Sequence, residues 1–185
     1  MTHAAGDAAL HTQPLPQSQL LDSVLPRICS GGQRYRKYRQ VKARPARPGE
    51  AVVTITADGE ETRNRAGHDH LLVQNLTQSG ERYLMRRDTF AARYRQVAEA
   101  GDGWALYDAL GEILALEIDR DVLALLGVGE CFHFIAPWGR AQVARAGDML
   151  ATPWPARDEV YRIARREFGE TYRRAVAPLA KEPPE

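Results

Sequence analysis

The sequence predicts an α+β protein, mainly antiparallel strands, built as two duplicated β-rich modules each closed by a short helix. Two observations carry this. The first is a diverged internal repeat. Gly49-Glu50, Gly59, Arg65-Ala66-Gly67, Asp69, Glu81, Tyr83, Phe90 and Tyr94-Arg95 return in the same order as Gly129-Glu130, Gly139, Arg145-Ala146-Gly147, Asp148, Glu159, Tyr161, Phe168 and Tyr172-Arg173. The offset is 80 at the start (49 to 129) and 78 at the end (95 to 173), as small deletions in the second copy would produce. Repeats define the structural unit and so precede other inferences. The second observation is local: short runs rich in β-branched residues alternate with Gly and Pro turn signals, the pattern of strands joined by tight turns.

Residues 1–33 are expected to be a flexible N-terminal tail. They hold Ala, Gln, Ser and Pro, and only Leu20 to Leu25 is apolar enough to dock, as a turn before Pro26. The first module is placed at 34–98. Tyr35 to Ala43 alternates and reads as one strand, ended by Pro45 and Pro48-Gly49 because proline lacks the donor a ladder needs. Glu50 to Thr56 is the clearest strand. Asp58-Gly59 reads as its hairpin turn, with Gly supplying positive φ, and Glu60 to Arg65 as the returning strand. Leu71 to Gln74 and Glu81 to Met85 read as two more strands around a Gln78-Ser79-Gly80 turn. Asp88 is placed as the N-cap of a helix carrying Phe90, Tyr94 and Val97 at i, i+4 and i+7.

A connecting hairpin and short helix are placed at 99–127. Trp104 to Ile118 fits either a helix or a hairpin. The hairpin is preferred, turning at Asp108-Ala109-Leu110-Gly111. Asp119 to Gly127 reads as a capped helical turn with Gly as its stop. The second module, 128–178, repeats the first. Cys131 to Ile135, Ala141 to Arg145, Met149 to Ala151 and Glu159 to Ile163 are its strands. Trp138-Gly139 is a turn, Pro153-Trp154-Pro155 a loop, and the helix bearing Phe168 and Tyr172 closes it. Gly169 weakens that helix by ~1 kcal/mol relative to Ala. Residues 179–185 are expected to be a second flexible tail.

The motifs that carry the repeat are similar to those of a family of small bacterial and phage proteins named for a Pro-Gly-Asp-Tyr-Gly (PGDYG) motif. The resemblance rests on Tyr35-Arg36-Lys37, Val41-Lys42-Ala43, Gly80-Glu81, Tyr83 and Phe90-x-x-x-Tyr94 in the first copy. In the second it rests on Ala146-Gly147-Asp148-Met149-Leu150, Tyr161 and Phe168-x-x-x-Tyr172. The first copy has Ala-Gly-His-Asp-His where the naming motif would stand. The resemblance implies a small β-rich domain and brings no activity with it.

Composition is that of a globular chain: 44% hydrophobic, 26% charged, net charge +1. No apolar run approaches the ~18 residues of a membrane span, and no basic and apolar leader opens the chain. Cys29 and Cys131 are the only cysteines and are not expected to pair. A cytoplasmic location is therefore expected. The charge is uneven. Glu99, Asp102, Asp108, Glu112, Glu117, Asp119, Asp121 and Glu130 crowd the middle, while arginines cluster at 34–47, 82–95 and 162–174. Solubilising arginines that pair with the acidic middle are the preferred reading, and an anionic partner is the alternative.

Several residues are candidates for chemistry. His68 and His70 would share one face of a strand and could offer two ligands to a metal. A turn is the preferred reading, and no metal or other cofactor is expected. Asp69 and Asp148 recur at the same turn, where a carboxylate bonds local amides. Glu81 and Glu159 precede the repeated tyrosines and could form a paired acid/base site. Trp138 and Trp154 sit in Pro-bounded segments that suit a binding rim. No phosphate-binding glycine loop, Cys-x-x-Cys, Gly-x-Ser-x-Gly or His-Glu-x-x-His is present. The reading is a non-catalytic module that binds a small molecule or protein in a cleft between the copies, with no membrane role. An enzyme using the acids or histidines, and nucleic-acid binding through the arginines, are the alternatives.

Overall fold

The computed structural model describes residues 13–56 and 59–175. The fold is α+β and strand-rich, and its named strands pair antiparallel. In chain order, α1 (Gln17–Ser23) and α2 (Leu25–Gly31) precede β1 (Gln33–Lys37) and β2 (Val41–Pro45). The hairpin β3 (Ala51–Thr56) and β4 (Gly59–Arg65) follows, then β5 (His70–Asn75), β6 (Arg82–Arg86), α3 (Arg87–Arg93), β7 (Tyr94–Gly101) and β8 (Trp104–Ala109). The second half has β9 (Glu112–Glu117), α4 (Arg120–Leu126), the hairpin β10 (Cys131–Ile135) and β11 (Ala141–Arg145), and β12 (Met149–Trp154). It ends with β13 (Tyr161–Ile163), α5 (Arg165–Thr171) and β14 (Tyr172–Arg174).

Two five-stranded sheets have corresponding orders, β6-β5-β2-β8-β7 and β13-β12-β9-β1-β14. In the second sheet the place of β8 is taken by β1, from the opposite end of the chain. Tyr35 to Ala43 is therefore not one strand. It breaks at residues 38–40, and β1 joins β9 and β14 while β2 joins β5 and β8. The aromatic packing repeats to match. Phe90 stacks on Tyr94 (centroids 4.5 Å, 17°) and meets Tyr107 edge-on (4.8 Å, 83°). Phe168 stacks on Tyr172 (5.2 Å, 13°) and meets Tyr35 edge-on (4.8 Å, 74°). Around them Val41, Ala43, Leu71, Val73, Tyr83 and Met85 correspond to Ile113, Ala115, Met149, Ala151, Tyr161 and Ile163.

The crossing at Leu110-Gly111 mirrors the one at 38–40. Tyr38 N donates to Thr171 O (2.9 Å) and Leu110 N to Arg93 O (2.7 Å). This corrects the expected hairpin at Asp108–Gly111. β8 is bonded on both edges by β2 and β7, and β9 by β12 and β1, so the two cannot pair with each other. The hairpin lies one connection earlier, between β7 and β8, where Gly101, Asp102 and Gly103 all take positive φ (78°, 52° and 76°).

Other expectations are corrected too. Residues 17–31 are helical, so the segment to residue 33 is not a tail throughout. Leu20, Val24 and Ile28, four apart, form a stripe that is fully buried with Leu15 in the largest apolar cluster. The Gln17 side chain fastens the segment, donating to Ile135 O (2.9 Å) and Val160 O (3.0 Å) and accepting from Val160 N (2.6 Å). The helix after β6 stops at Arg93, and Tyr94 opens a strand, so Val97 is not on a helix face. Asp88 sits inside the first turn of α3, bonded to Thr89 N (2.7 Å) and paired with Arg86, while Arg86 occupies the cap. β12 runs on through Pro153, where a loop was expected. β13 pairs only with Met149 to Ala151, so the outer edge of β12 is free at Pro153 and needs no donor. Helix α4 forms as read: the Asp119 carboxylate accepts from Val122 N (2.9 Å) and Gly127 closes it at φ 64°. Asp58, residues 1–12 and residues 179–185 lie outside the described residues.

Candidate functional site

Most of the acids and histidines singled out in the sequence have structural partners. Asp148 is buried. Its carboxylate accepts from Arg162 Nε (2.8 Å), Arg145 N (3.0 Å) and Arg165 N (3.2 Å), tying the β11–β12 turn to α5. Asp69 is exposed, and its carbonyl accepts from Arg87 N (2.8 Å), the start of α3. His68 lies in the turn before β5 rather than in the strand, so it does not share a strand face with His70. His70 Nδ1 accepts from Gly67 N (3.1 Å). Among the described residues no group of three or more His, Cys, Asp or Glu could hold a metal ion. Both cysteines are free and exposed.

Where a cleft between the copies was expected, the four repeated tyrosines meet. Tyr83 and Tyr94 of the first copy have hydroxyls 3.5 Å apart, and Tyr161 and Tyr172 of the second lie near enough for ionisation of one phenol to oppose that of another. Each copy lends the other a cation. Lys37, on β1, donates to Asn75 Oδ1 (3.0 Å) and Tyr94 Oη (3.4 Å). Arg93, at the end of α3, pairs with Glu159 (2.7 Å). Burial pushes the Tyr83, Tyr161 and Tyr172 phenols up. Burial acts on Tyr94 in the same sense, but the Lys37 ammonium and the Tyr83 hydrogen bond outweigh it and hold that phenol below its ordinary value. Glu81 is 4% exposed. One of its oxygens bonds the Thr77 hydroxyl, and Oε1 has no partner.

The second concentration of chemistry lies on the face of the second sheet opposite α5, at the end that α2 and the largest apolar cluster leave open; Trp154 packs partly against that cluster. Trp154 pairs in register with Glu112, and Arg36 with Arg173. Glu112 joins the two pairs, bonding Arg34 and Arg36 (3.0 Å to Arg36). Four adjacent strands therefore present one row: Trp154, Glu112, Arg36, Arg173. At ~4.8 Å per strand the row is about 14 Å long. Each end carries an aromatic ring between guanidinium groups. Arg34 and Arg157 lie 5.2 and 5.4 Å from the Trp154 ring centre. Arg173 and Arg39 lie 3.9 and 5.9 Å from that of Tyr38. Burial tends to raise the Glu112 carboxyl, but its bonds to Arg34 and Arg36 prevail and lower it. Trp138 is not part of this row. It stands 54% exposed in the β10–β11 turn.

The corresponding row of the first copy is different. There Gln40 stands for Glu112, Asp108 for Arg36, Arg95 for Arg173 and Leu76 for Trp154. Gln40 donates to Asp108 (3.0 Å), which faces Arg95 at 4.0 Å. Leu106 and Ser79 replace Arg34 and Arg157. The two copies thus share their cores and differ in charge on this face. The sequence flagged Trp154 and the arginine clusters separately. Their union was hidden because β1, which carries Arg34 and Arg36, belongs to the copy at the other end of the chain. Set against protein-family models, curated proteins and solved structures, the chain finds no match.

Proposed function

We propose that the protein is a non-catalytic binding module that takes an anionic partner on the open end of the second sheet's face opposite α5. The observation that carries this is the charge difference between equivalent rows. Two arginines, Arg34 and Arg36, stand where the first copy has Leu106 and Asp108, and Trp154 with Arg157 stands where it has Leu76 and Ser79. A duplicated fold needs no such difference to be stable, because the first copy does without it. Exposed guanidinium groups that exceed the acids beside them raise the local concentration of anions. Stacking on aromatic rings pre-orders them for bidentate contact with oxyanions. Asp148, Glu159 and His70, whose polar atoms are engaged in holding turns and helices, support the non-catalytic reading, and Glu81 alone of the paired acids keeps a buried oxygen without a partner. A cytoplasmic setting and descent of both copies from the PGDYG-motif family belong to the same proposal. Among the described residues no helix is long and apolar enough to cross a membrane.

Retention on a sulfated polyanion resin tests it. Arg36→Gln/Arg173→Gln should elute at clearly lower salt than the parent. Arg82→Gln/Arg95→Gln, of equal charge change but on the first copy, should elute close to the parent. Equal loss from both pairs would show a diffuse charge effect and end the proposal.

A further inference from the structure

We infer that the anionic partner is a single-stranded nucleic acid, a reading that rests on the binding face proposed above. The cations do not converge on a point, as donors around one small anion would. They are spread along the row of about 14 Å, at the ~4.8 Å step of the sheet, which suits a chain of repeated negative charges. The aromatic rings add what a plain polyanion does not need. Trp154, half-buried against the largest apolar cluster, and Tyr38, exposed, stand at opposite ends of the row, each with two guanidinium groups within 6 Å of its ring centre. Tyr38 is 40% exposed although it is a large ring at a chain crossing with no apolar cluster to join. Planar aromatic and guanidinium surfaces stack on unpaired bases, and that contact tolerates any sequence. A duplex keeps its bases stacked inside and would offer only phosphates. An acidic peptide would use the arginines and leave the planes idle.

The charge count gives the salt dependence. Arg34, Arg36, Arg39, Arg157 and Arg173 face the carboxylates of Glu112 and Glu170, a surplus of about three. Single strands release counterions with a slope of roughly −0.7 per contact. The association constant should then fall about 20-fold between 50 and 200 mM salt.

The experiment is fluorescence anisotropy with a labelled 12-nucleotide mixed-sequence single strand, using the full chain at 50 and 200 mM salt. Unlabelled duplex of the same length, inorganic polyphosphate and polyglutamate serve as competitors. The single strand should bind with the stated salt loss and be displaced poorly by duplex. Arg36→Gln/Arg173→Gln should weaken both the single strand and polyphosphate. Tyr38→Ala should weaken the single strand about 10-fold and leave polyphosphate unchanged. Tyr38→Phe, which keeps the ring, should restore the single strand and so rules out a folding defect. Polyphosphate binding with Tyr38→Ala inert toward the strand would overturn the nucleic-acid inference and leave the anionic face standing. Preference for polyglutamate would overturn it in favour of an acidic protein. Binding of none of these polyanions would defeat the underlying function as well.

Discussion

Tyr35→Ala is the sharpest test of the strand exchange. Tyr35 lies near the start of the first repeat, in a segment whose sequence reads as one strand running on to Ala43. In the structure its ring meets Phe168 edge-on at 4.8 Å and packs beside Ile113, Ala115, Met149 and Ala151. It is half-buried, so removing it forfeits about 100 Å² of buried surface, half of what a fully buried aromatic side chain covers. At ~25 cal/mol per Å² that is about 2.5 kcal/mol. The edge-to-face contact adds ~1 kcal/mol. A total near 3.5 kcal/mol should lower the melting temperature by about 7–14 °C in a chain of this length. Tyr107→Ala, its counterpart against Phe90, should cause a fall of the same order. The assay is thermal unfolding followed by far-ultraviolet circular dichroism. A Tyr35→Ala melt within about 1 °C of the parent, beside a large fall for Tyr107→Ala, would refute the placement of β1 in the second sheet.

Phe90→Ala should cost ~3–5 kcal/mol, because its ring is 3% exposed, and half-buried Phe168→Ala should cost less; denaturant unfolding orders them. Asp148→Ala takes the carboxylate from the buried Arg162 guanidinium and should destabilise by ~3–5 kcal/mol, with Asp148→Ala/Arg162→Met less costly than the sum of the singles. Alkaline titration at 295 nm should show a tyrosine ionising below the usual ~10, lost in Lys37→Met, since the ammonium is what holds Tyr94 down. Glu50, Glu112 and Glu170 all have carboxyls lowered in the folded state. Such groups contribute stability above the unfolded carboxylate pKa of ~4.3, and that contribution is lost as pH falls through their folded values; melting temperature should drop below about pH 4, with a shallower drop in Glu112→Gln.

The strands were legible because their side chains obey a period of two and their turns carry Gly or Pro. Ala51–Thr56 and Cys131–Ile135 are of this kind. The helix α4, buried on one face, was legible from its cap and stop, Asp119 and Gly127. Partnership was not legible. Pairing depends on which edges remain free, and nothing in Tyr35-Arg36-Lys37 distinguishes a strand that continues into Val41 from one that crosses to another sheet. The stripe Leu20, Val24, Ile28 was only partly legible, since Leu20 to Leu25 reads as one docking turn and Pro26 hides that the helical spacing runs on to Ile28. Tyr94 and Tyr172 were read as helical from the spacing to Phe90 and Phe168. In the structure the rings still stack, because the strand leaves the helix end in a direction that brings residue i+4 back over residue i. The candidate site was legible by residue type alone: Trp154 and the arginines were visible, and the register that aligns them was not.

The comparison between copies also separates what the fold requires from what it permits. Positions that face α3 in one copy and α5 in the other agree closely: valine with isoleucine, alanine with alanine, tyrosine with tyrosine. These pairs keep the apolar or aromatic type in equal places, with small volume changes such as Val73 for Ala151, as a close-packed interior allows. The outer rows face solvent at their ends and are released from that constraint. There a lone substitution such as Asp108 for Arg36 would leave a charge without a partner. Instead the changes are concerted. Gln40, Asp108 and Arg95 form one chain of contacts with no net charge, and Glu112, Arg36 and Arg34 form another that is net positive. Glu112 draws two guanidinium groups to itself and so fixes Arg34 beside Trp154 without cancelling the surplus. An acid in a basic row is then a positioning element, and Glu112→Gln should loosen the arrangement while raising its net positive charge.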